Sequence, residues 1–355
     1  MIEDINFARV MTALRCQEPD RVPVSEFHFD KDVMNAFMGH PVITMAERIE
    51  FWVEAGIDYI VIPAGLLIDT QPVPGLFQEG KGRYSIYSEQ VGKRQWAQES
   101  RGIIAREEDL DKIPSLGLDR LDLSRFEEAA RLLPKGMKVM VLLGNIYAKT
   151  TQFLGVENFF YALTERPALV EAVAERIATV QLQVLKAVVP FECVGGIWNP
   201  DDLAYNQGPF IAPKYYKKWL FPWYRKINEL SRNHGKGTVL HCDGNATDLV
   251  PDIIECGFMG LQPIQPNVMD IRSLKKRYGK NLCLIGNVDM DRLLSRGTPD
   301  MIREEVKSLI RDVAPGGGYM AGSGNSIADF VPIENYKALA AAVREFGKYP
   351  TLIQR

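Results

Sequence analysis

Eight short apolar runs alternating with longer helical patterns predict a (β/α)8 barrel for this chain of 355 residues. Nearly every run ends in polar or glycine-containing sequence instead of a tight hairpin turn, the pattern of βα units. The length suits one barrel domain over residues 1–355, and 46% hydrophobic residues can fill its core.

The predicted staves, in order, are "RVPVSEFHF" (21–29), "DYIVIPAG" (58–65), "KVMVLLGN" (138–145), "GGIWNPDD" (195–202), "GTVLHCDGN" (237–245), "GLQPIQPN" (260–267), "LCLIGNVD" (282–289) and "GYMAGSGN" (318–325). Helical segments such as "ITMAERIEFWVEAG", "PALVEAVAERIATVQLQVLKAV", "ATDLVPDIIECG" and "TPDMIREEVKSLIRDVAPGG" lie between them, several closing on glycine as helix ends do. Two stretches break the rhythm. "GKGRYSIYSEQVGKRQWAQESRG" (80–102) alternates aromatic and polar residues around a glycine and predicts a β-hairpin inserted after stave two. "LAYNQGPFIAPKYYKKWLFPWYRKI" (203–227), after stave four, is dense in aromatics, which pack a core or form a substrate lid.

Composition excludes several function classes. With 42 basic and 45 acidic residues and a net charge of −3, nothing marks a nucleic acid or an anionic membrane as the partner. The sequence holds no apolar run long enough to span a bilayer, and the N-terminal "MIEDINFARVMTALRCQ" reads as an amphipathic helix, not an export signal. Cys16, Cys193, Cys242, Cys256 and Cys283 are odd in number and contain no CxxC pair, so a reducing cytoplasm is expected.

Barrel active sites are built from stave ends and the loops that follow them. Here those ends supply Glu26 and His28, Asn145, Asn199, Asp201 and Asp202, His241 and Asp243, Gln262, Gln265 and Asn267, Asn287 and Asp289, and Ser323 and Asn325, with Tyr205 in the aromatic stretch beyond. The candidates for chemistry are His241, Asp243, Glu26 and Asp289. Those for substrate contact are His28, Asn145, Asn199, Asp202, Tyr205, Gln262, Asn287, Ser323 and Asn325. In "VLHCDGN" (239–245) successive residues point to opposite faces, so His241 and Asp243 share the mouth while Cys242 turns toward the helices. The ordinary alternative is that Asp243 caps the helix beginning in "NATDLVPDII" and His241 bonds to a neighbouring stave end.

The segments "ARVMTALRCQEPDRVPV", "NPDDLAYNQGPFIAPKYYKKWLFPWYRKI", "LHCDGN", "GLQPIQPNVMDIRSLKKRYGKNLCLIGNVD" and "APGGGYMAGSGNSIADFVPIENYKAL" resemble the uroporphyrinogen decarboxylase superfamily over nearly the whole chain. The resemblance implies the barrel of that superfamily, which includes both the decarboxylase and corrinoid-linked methyltransferases. The decarboxylase pattern has "RQAGR" after stave one and an aspartate at the end of stave two. This chain reads "VSEFHFDKDV" and "VIPAGLL" there, without the guanidinium forks that a substrate with many carboxylates needs, and with Glu26 in their place to repel it.

The methyltransferase pattern uses zinc on a His-x-Cys pair ending stave five and on a second cysteine near stave eight. His241 matches the histidine, Asp243 stands where the cysteine would, and "AGSGNS" offers Ser323 or Asn325 instead of a thiol. Any zinc would then be held by nitrogen and oxygen, from His241 and Asp243 with Glu26, His28 or Asp289 as further donors. Such a site favours polarising a methyl ether over holding a thiolate. The expectation is a methyltransferase of a corrinoid-dependent demethylation system, acting on a small methyl donor or acceptor. A decarboxylase of a small carboxylic acid, or a barrel that only binds a small ligand or tetrapyrrole, are the alternatives. The corrinoid signature DxHxxG is absent, since Glu26, Met38, Arg232 and Val239 stand two residues before the four histidines, so the cobalamin would come on a separate corrinoid protein.

Overall fold

A computed structural model describes residues 4–64, 77–80, 94–97, 102–113 and 121–350. Seven of the predicted staves form one parallel sheet in sequence order: Tyr59–Pro63, Lys138–Leu142, Val194–Pro200, Gly237–His241, Gly260–Gln262, Cys283–Val288 and Tyr319–Ser323. Parallel neighbours need long return connections, which the intervening helices supply while covering the outer face.

The first predicted stave, 21–29, completes the circle. Val24 bridges in parallel to Ile57, just before the second stave, and to Ala321 on the eighth. The Ser25 amide donates to the Ala321 carbonyl at 2.9 Å, and the Ala321 amide to the Pro23 carbonyl at 2.9 Å. Pro23 has no amide hydrogen to give a ladder, so this segment joins the two sheet edges by single bridges and does not keep the period of a regular strand.

Helix Phe7–Leu14 plugs the N-terminal end of the barrel. Asn6 caps it by accepting the Ala8 amide, and its inner face buries Phe7, Val10 and Leu14. Glycines open the stave starts for it: a Cβ on Gly195 would come within 2.4 Å of the Phe7 ring, and one on Gly237 within 2.8 Å of Leu14.

The inserted hairpin is present and begins earlier than expected, with Phe77–Gly80 paired antiparallel to Arg94–Ala97. Residues 81–93 and 98–101 of the predicted insertion lie outside the described residues. In the aromatic stretch after stave four, a ribbon pairs Ala204–Tyr205 with Gly208–Pro209, and helices Pro213–Trp219 and Phe221–Asn233 follow. Tyr216, Trp219, Phe221 and Tyr224 are buried, whereas Tyr205 and Phe210 keep 46% and 42% of their surface exposed. Most of these aromatics are therefore core. No helix among the described residues is long and apolar enough to cross a membrane.

Candidate active site at the barrel mouth

His241 is the last residue of the fifth stave, in register with Pro200 on one side and Gln262 on the other. It is buried, its ring stacks on Phe27 with centroids 4.0 Å apart, and Phe27 in turn meets Trp198 edge-on. His241 Nε2 lies 3.7 Å from Asp243 Oδ1, so the two residues face each other across one side of the mouth. Cys242 sits behind them, fully buried, with its sulfur accepting the Leu203 amide at 3.3 Å. Burial pushes its thiol far above the ordinary range, which suits packing and not metal ligation.

The histidine's other nitrogen fixes its orientation. Nδ1 is 2.5 Å from Gln262 Oε1, an acceptor, so Nδ1 carries the hydrogen and donates it. Nε2 then faces the Asp243 carboxylate. Asp202 joins them: its Oδ1 accepts the Asp243 amide at 2.9 Å, and one ligand atom from each of Asp202, His241 and Asp243 falls within 4.8 Å of the others. Two carboxylates and an imidazole nitrogen converging in this way form a set of donors that could hold a cation. Asp243 is steadied by Asn325 Nδ2 at 3.0 Å and Gln265 Nε2 at 3.4 Å. Burial and then the Asp202 charge push its carboxyl above the usual range, against the opposing pull of His241.

The two ordinary readings of this pair fare differently. Asp243 caps no helix, because the Thr247 amide is taken by Asn245 Oδ1 at 3.2 Å. His241 does bond to a neighbouring stave end, and that bond orients its free nitrogen toward the carboxylates.

Glu26 requires a correction. Instead of facing the mouth beside His28, it is fully buried in the seam between the first and eighth staves, with Oε1 accepting the Ser323 amide at 2.9 Å and Oε2 lying 2.5 Å from Ser323 Oγ. The Ser323 hydroxyl donates to Glu26 Oε2 and also lies against the Asn325 carbonyl. Burial outweighs these bonds and raises the Glu26 carboxyl to about 8. Glu26 is thus a neutral structural link, and repulsion of an anionic substrate by its charge falls away. In the irregular first segment Phe27, not Glu26, meets His241.

Asp289 is also accounted for structurally: Oδ1 takes the Arg292 amide at 2.7 Å and Oδ2 the Arg292 guanidinium at 3.2 Å, capping the turn that follows. Asp201 holds the start of helix Tyr147–Leu154 through the amides of Ile146, Tyr147 and Ala148. His28 lies more than half exposed, 3.4 Å from Asp30, and close enough to His241 that positive charge on either opposes charge on the other. Asn287 is buried on the seventh stave. Asn199 is wholly buried with neither side-chain polar atom partnered, and Gln262 Nε2 and Asn145 Oδ1 are in the same condition. Among the described residues these are buried polar groups without a protein partner.

Beside the cluster opens a cavity of about 530 Å³ whose wall includes Asp202, Asn145, Tyr147, Val156, Phe160 and Phe210. Phe27 and Phe210 were not among the expected site residues, whereas Gln265 was among the polar stave ends. The aromatic stretch held a signal for Phe210, and Phe27 left none.

The uroporphyrinogen decarboxylase (URO-D) family matches over residues 101–346, and the chain belongs to it. Methylcobamide:CoM methyltransferase MtaA of Methanosarcina barkeri is 30% identical over 136 residues, a match spanning only 38% of this chain and 38% of that relative. MtbA of Methanosarcina acetivorans, also a methylcobamide:CoM methyltransferase, is 24% identical over 247 residues, 69% of this chain and 70% of the relative. Uroporphyrinogen decarboxylase of Actinobacillus succinogenes is 35% identical over 80 residues, 22% of each chain. A solved methyltransferase from Methanosarcina mazei superposes with a TM-score of 0.68 at 20% identity, over 95% of this chain and 98% of its own, and shares the fold.

Proposed function

For this member of the URO-D family, we infer that the activity is methyl transfer between a small substrate, a methyl ether, and a corrinoid carried by a separate protein. One observation carries the reading. The group of Asp202, His241 and Asp243 gathers around the end of stave five, where the resemblance implies a metal-binding pair in corrinoid-linked methyltransferases. The names of the Methanosarcina relatives point the same way.

These three residues fit a divalent ion such as zinc, offering one imidazole nitrogen and two carboxylates, with Gln262 supplying the bond that orients a ligating histidine. When bound, such an ion supplies a Lewis acid with oxygen-rich ligation, suited to drawing electron density from an ether oxygen. The corrinoid supplies the nucleophile that receives the methyl group. In the transfer the bond from the methyl carbon to the ether oxygen breaks, and that oxygen leaves as an alcohol or phenol once it has gained a proton. His241 and Asp243 would be ligands of the ion, and Glu26 and Asp289 are engaged elsewhere, so that proton comes from solvent at the mouth. Gln262 keeps the imidazole in register, and Phe27 covers one ring face from solvent.

The test is spectroscopic. Purified protein, prepared without chelator and assayed for bound metal, is mixed with cob(I)alamin and a panel of methyl ethers, and methylcobalamin formation is followed. Formation from at least one ether is expected. No transfer from any ether, with or without added zinc, would overturn the reading. Uroporphyrinogen should remain unconverted, because the arginine-bearing "RQAGR" segment is replaced by "VSEFHFDKDV".

A further inference from the structure

We propose that a groove on the flank of the barrel, beside the seam where the sheet closes, is a two-fold interface between two copies of this chain. It lies between helix Met45–Glu54, which precedes the second stave, and helix Ile333–Phe346, which follows the eighth. Its volume is about 360 Å³. Phe37 and Met38, from the end of helix Lys31–Met38, and Ala340 give it an apolar floor. Glu50 and Glu54 line one side, and Lys337 and Arg344 the other. The inference goes beyond the methyl-transfer reading and does not rest on it, because the helices that form the groove lie outside the sheet and leave the mouth free.

The four charges set this groove apart. On the neighbouring surface acids and bases pair within the chain: Arg303 holds Glu345 at 2.6 Å, Arg272 holds Asp312 at 2.8 Å and Arg225 holds Glu255 at 2.8 Å. In the groove, Glu50, Glu54, Lys337 and Arg344 form no ion pair among the described residues. The Lys337 ammonium instead sits 4.6 Å from the centre of the Phe37 ring. Gly56 leaves room for Arg344, since a Cβ there would come within 2.7 Å of the guanidinium.

Helices that return between parallel staves run the same way, and the Gly56 contact sets the ends of these two at one level. Counted back from that level at about 1.5 Å per residue, Glu50 stands about 9 Å up one helix and Lys337 about 10 Å up the other. Glu54 and Arg344 share the lower level. A two-fold axis running along the groove lays the acidic side of each copy over the basic side of the other and leaves these heights unchanged. Glu50 then meets Lys337 of the partner subunit, and Glu54 meets Arg344 of the partner subunit, twice over, around an enclosed strip of Phe37, Met38 and Ala340. An axis across the groove would set acid on acid, so charge selects the first arrangement. The result is a bundle of four helices in two layers, apolar at its centre and oppositely charged along its flanks.

The experiment is sedimentation equilibrium of the purified full chain over about 1–100 µM, at low salt and at about 1 M salt. A dimer that weakens in high salt is expected. Glu50→Lys and Lys337→Glu should each raise its dissociation constant at least about tenfold, because each sets like charges together at two places in the interface. Both side chains are exposed, so the variants should fold, which circular dichroism checks. The double variant, and an equimolar mixture of the two single variants, should regain the dimer, since in both the substituted positions attract again. A monomer at every concentration, a dimer that either single change leaves intact, or no recovery in the double variant or the mixture would overturn the proposal.

Discussion

At the N-terminal end of the barrel, Asp58 is almost wholly buried and takes both contacts of the Arg9 guanidinium at 2.8 and 3.0 Å plus the Asn6 amide at 2.9 Å, while Arg9 grips Asp20 with two further bonds of 2.7 Å. At the C-terminal mouth, Asp243 faces a histidine nitrogen 3.7 Å away, shares its surroundings with a second carboxylate, and receives only neutral amide donors. Both ends gather carboxylates. One answers them with cations of the chain itself and the other does not. Paired charge at the closed end serves the fold, whereas unanswered acceptors at the open end store a demand that a proton, a metal ion or a substrate can meet.

The contrast can be broken from either side, and the largest effect is expected at the closed end. Arg9→Met leaves Asp58 buried without its main cation and should cost about 3–5 kcal/mol in denaturant unfolding, with methyl transfer by the remaining folded protein unchanged. A loss under about 1 kcal/mol would show the network to be dispensable. At the mouth, His241→Ala should lower methyl transfer by about a hundredfold or more, and Asp243→Ala severely, with unfolding midpoints near that of the parent protein. Full activity in either variant would remove the cluster from the chemistry.

Gln262→Leu sharpens the comparison by taking away only the bond that orients His241. A fall of about 10- to 100-fold in activity or in zinc affinity is expected, and its pH profile should shift as Nδ1 loses its acceptor. A purely structural residue would change stability and leave the profile in place.

Glu26 tests a buried carboxyl of a third kind, neutral and bonded. Its folded value of about 8 lies above that of an unfolded glutamate, so the protonated form contributes stability that is fully present below about pH 4.5 and is lost as pH rises through about 8. Glu26→Gln keeps the donor and acceptor without the titration. Urea midpoints of the parent should therefore fall relative to this variant between those pH values, and parallel curves would refute the neutral assignment. The smallest effect belongs to Cys242→Ser. Its sulfur accepts a backbone amide away from the mouth, so the variant should retain most activity with a modest loss of stability. A dead Cys242→Ser beside an active Asp243→Ala would reverse the assignment of ligands on this stave.

Much of this was legible from local pattern. Period-two alternation in "VLHCDGN" sets His241 and Asp243 on one side and Cys242 on the other, because in a regular stave the direction of a side chain depends only on its parity. The eight apolar runs marked the staves for the same reason, and the capping role of Asp289 could have been read from an acid directly before "MDRLL". The first segment, which joins the sheet edges by single bridges, was less legible: Glu26 lies in the wall against Ser323 and Phe27 on His241.

The sequence by itself determined the barrel and the stave ends at which chemistry can occur, since hydrophobic period and turn chemistry are properties of short stretches of chain. Only the tertiary structure decided which of those ends meet. The parallel register of Pro200 with His241 brings Asp202 onto the Asp243 amide, the eighth stave delivers Asn325 to the same carboxylate, and the closing seam neutralises Glu26 against Ser323. Distances between residues remote in the chain follow from how staves pair and where the barrel closes, and no local pattern contains that information.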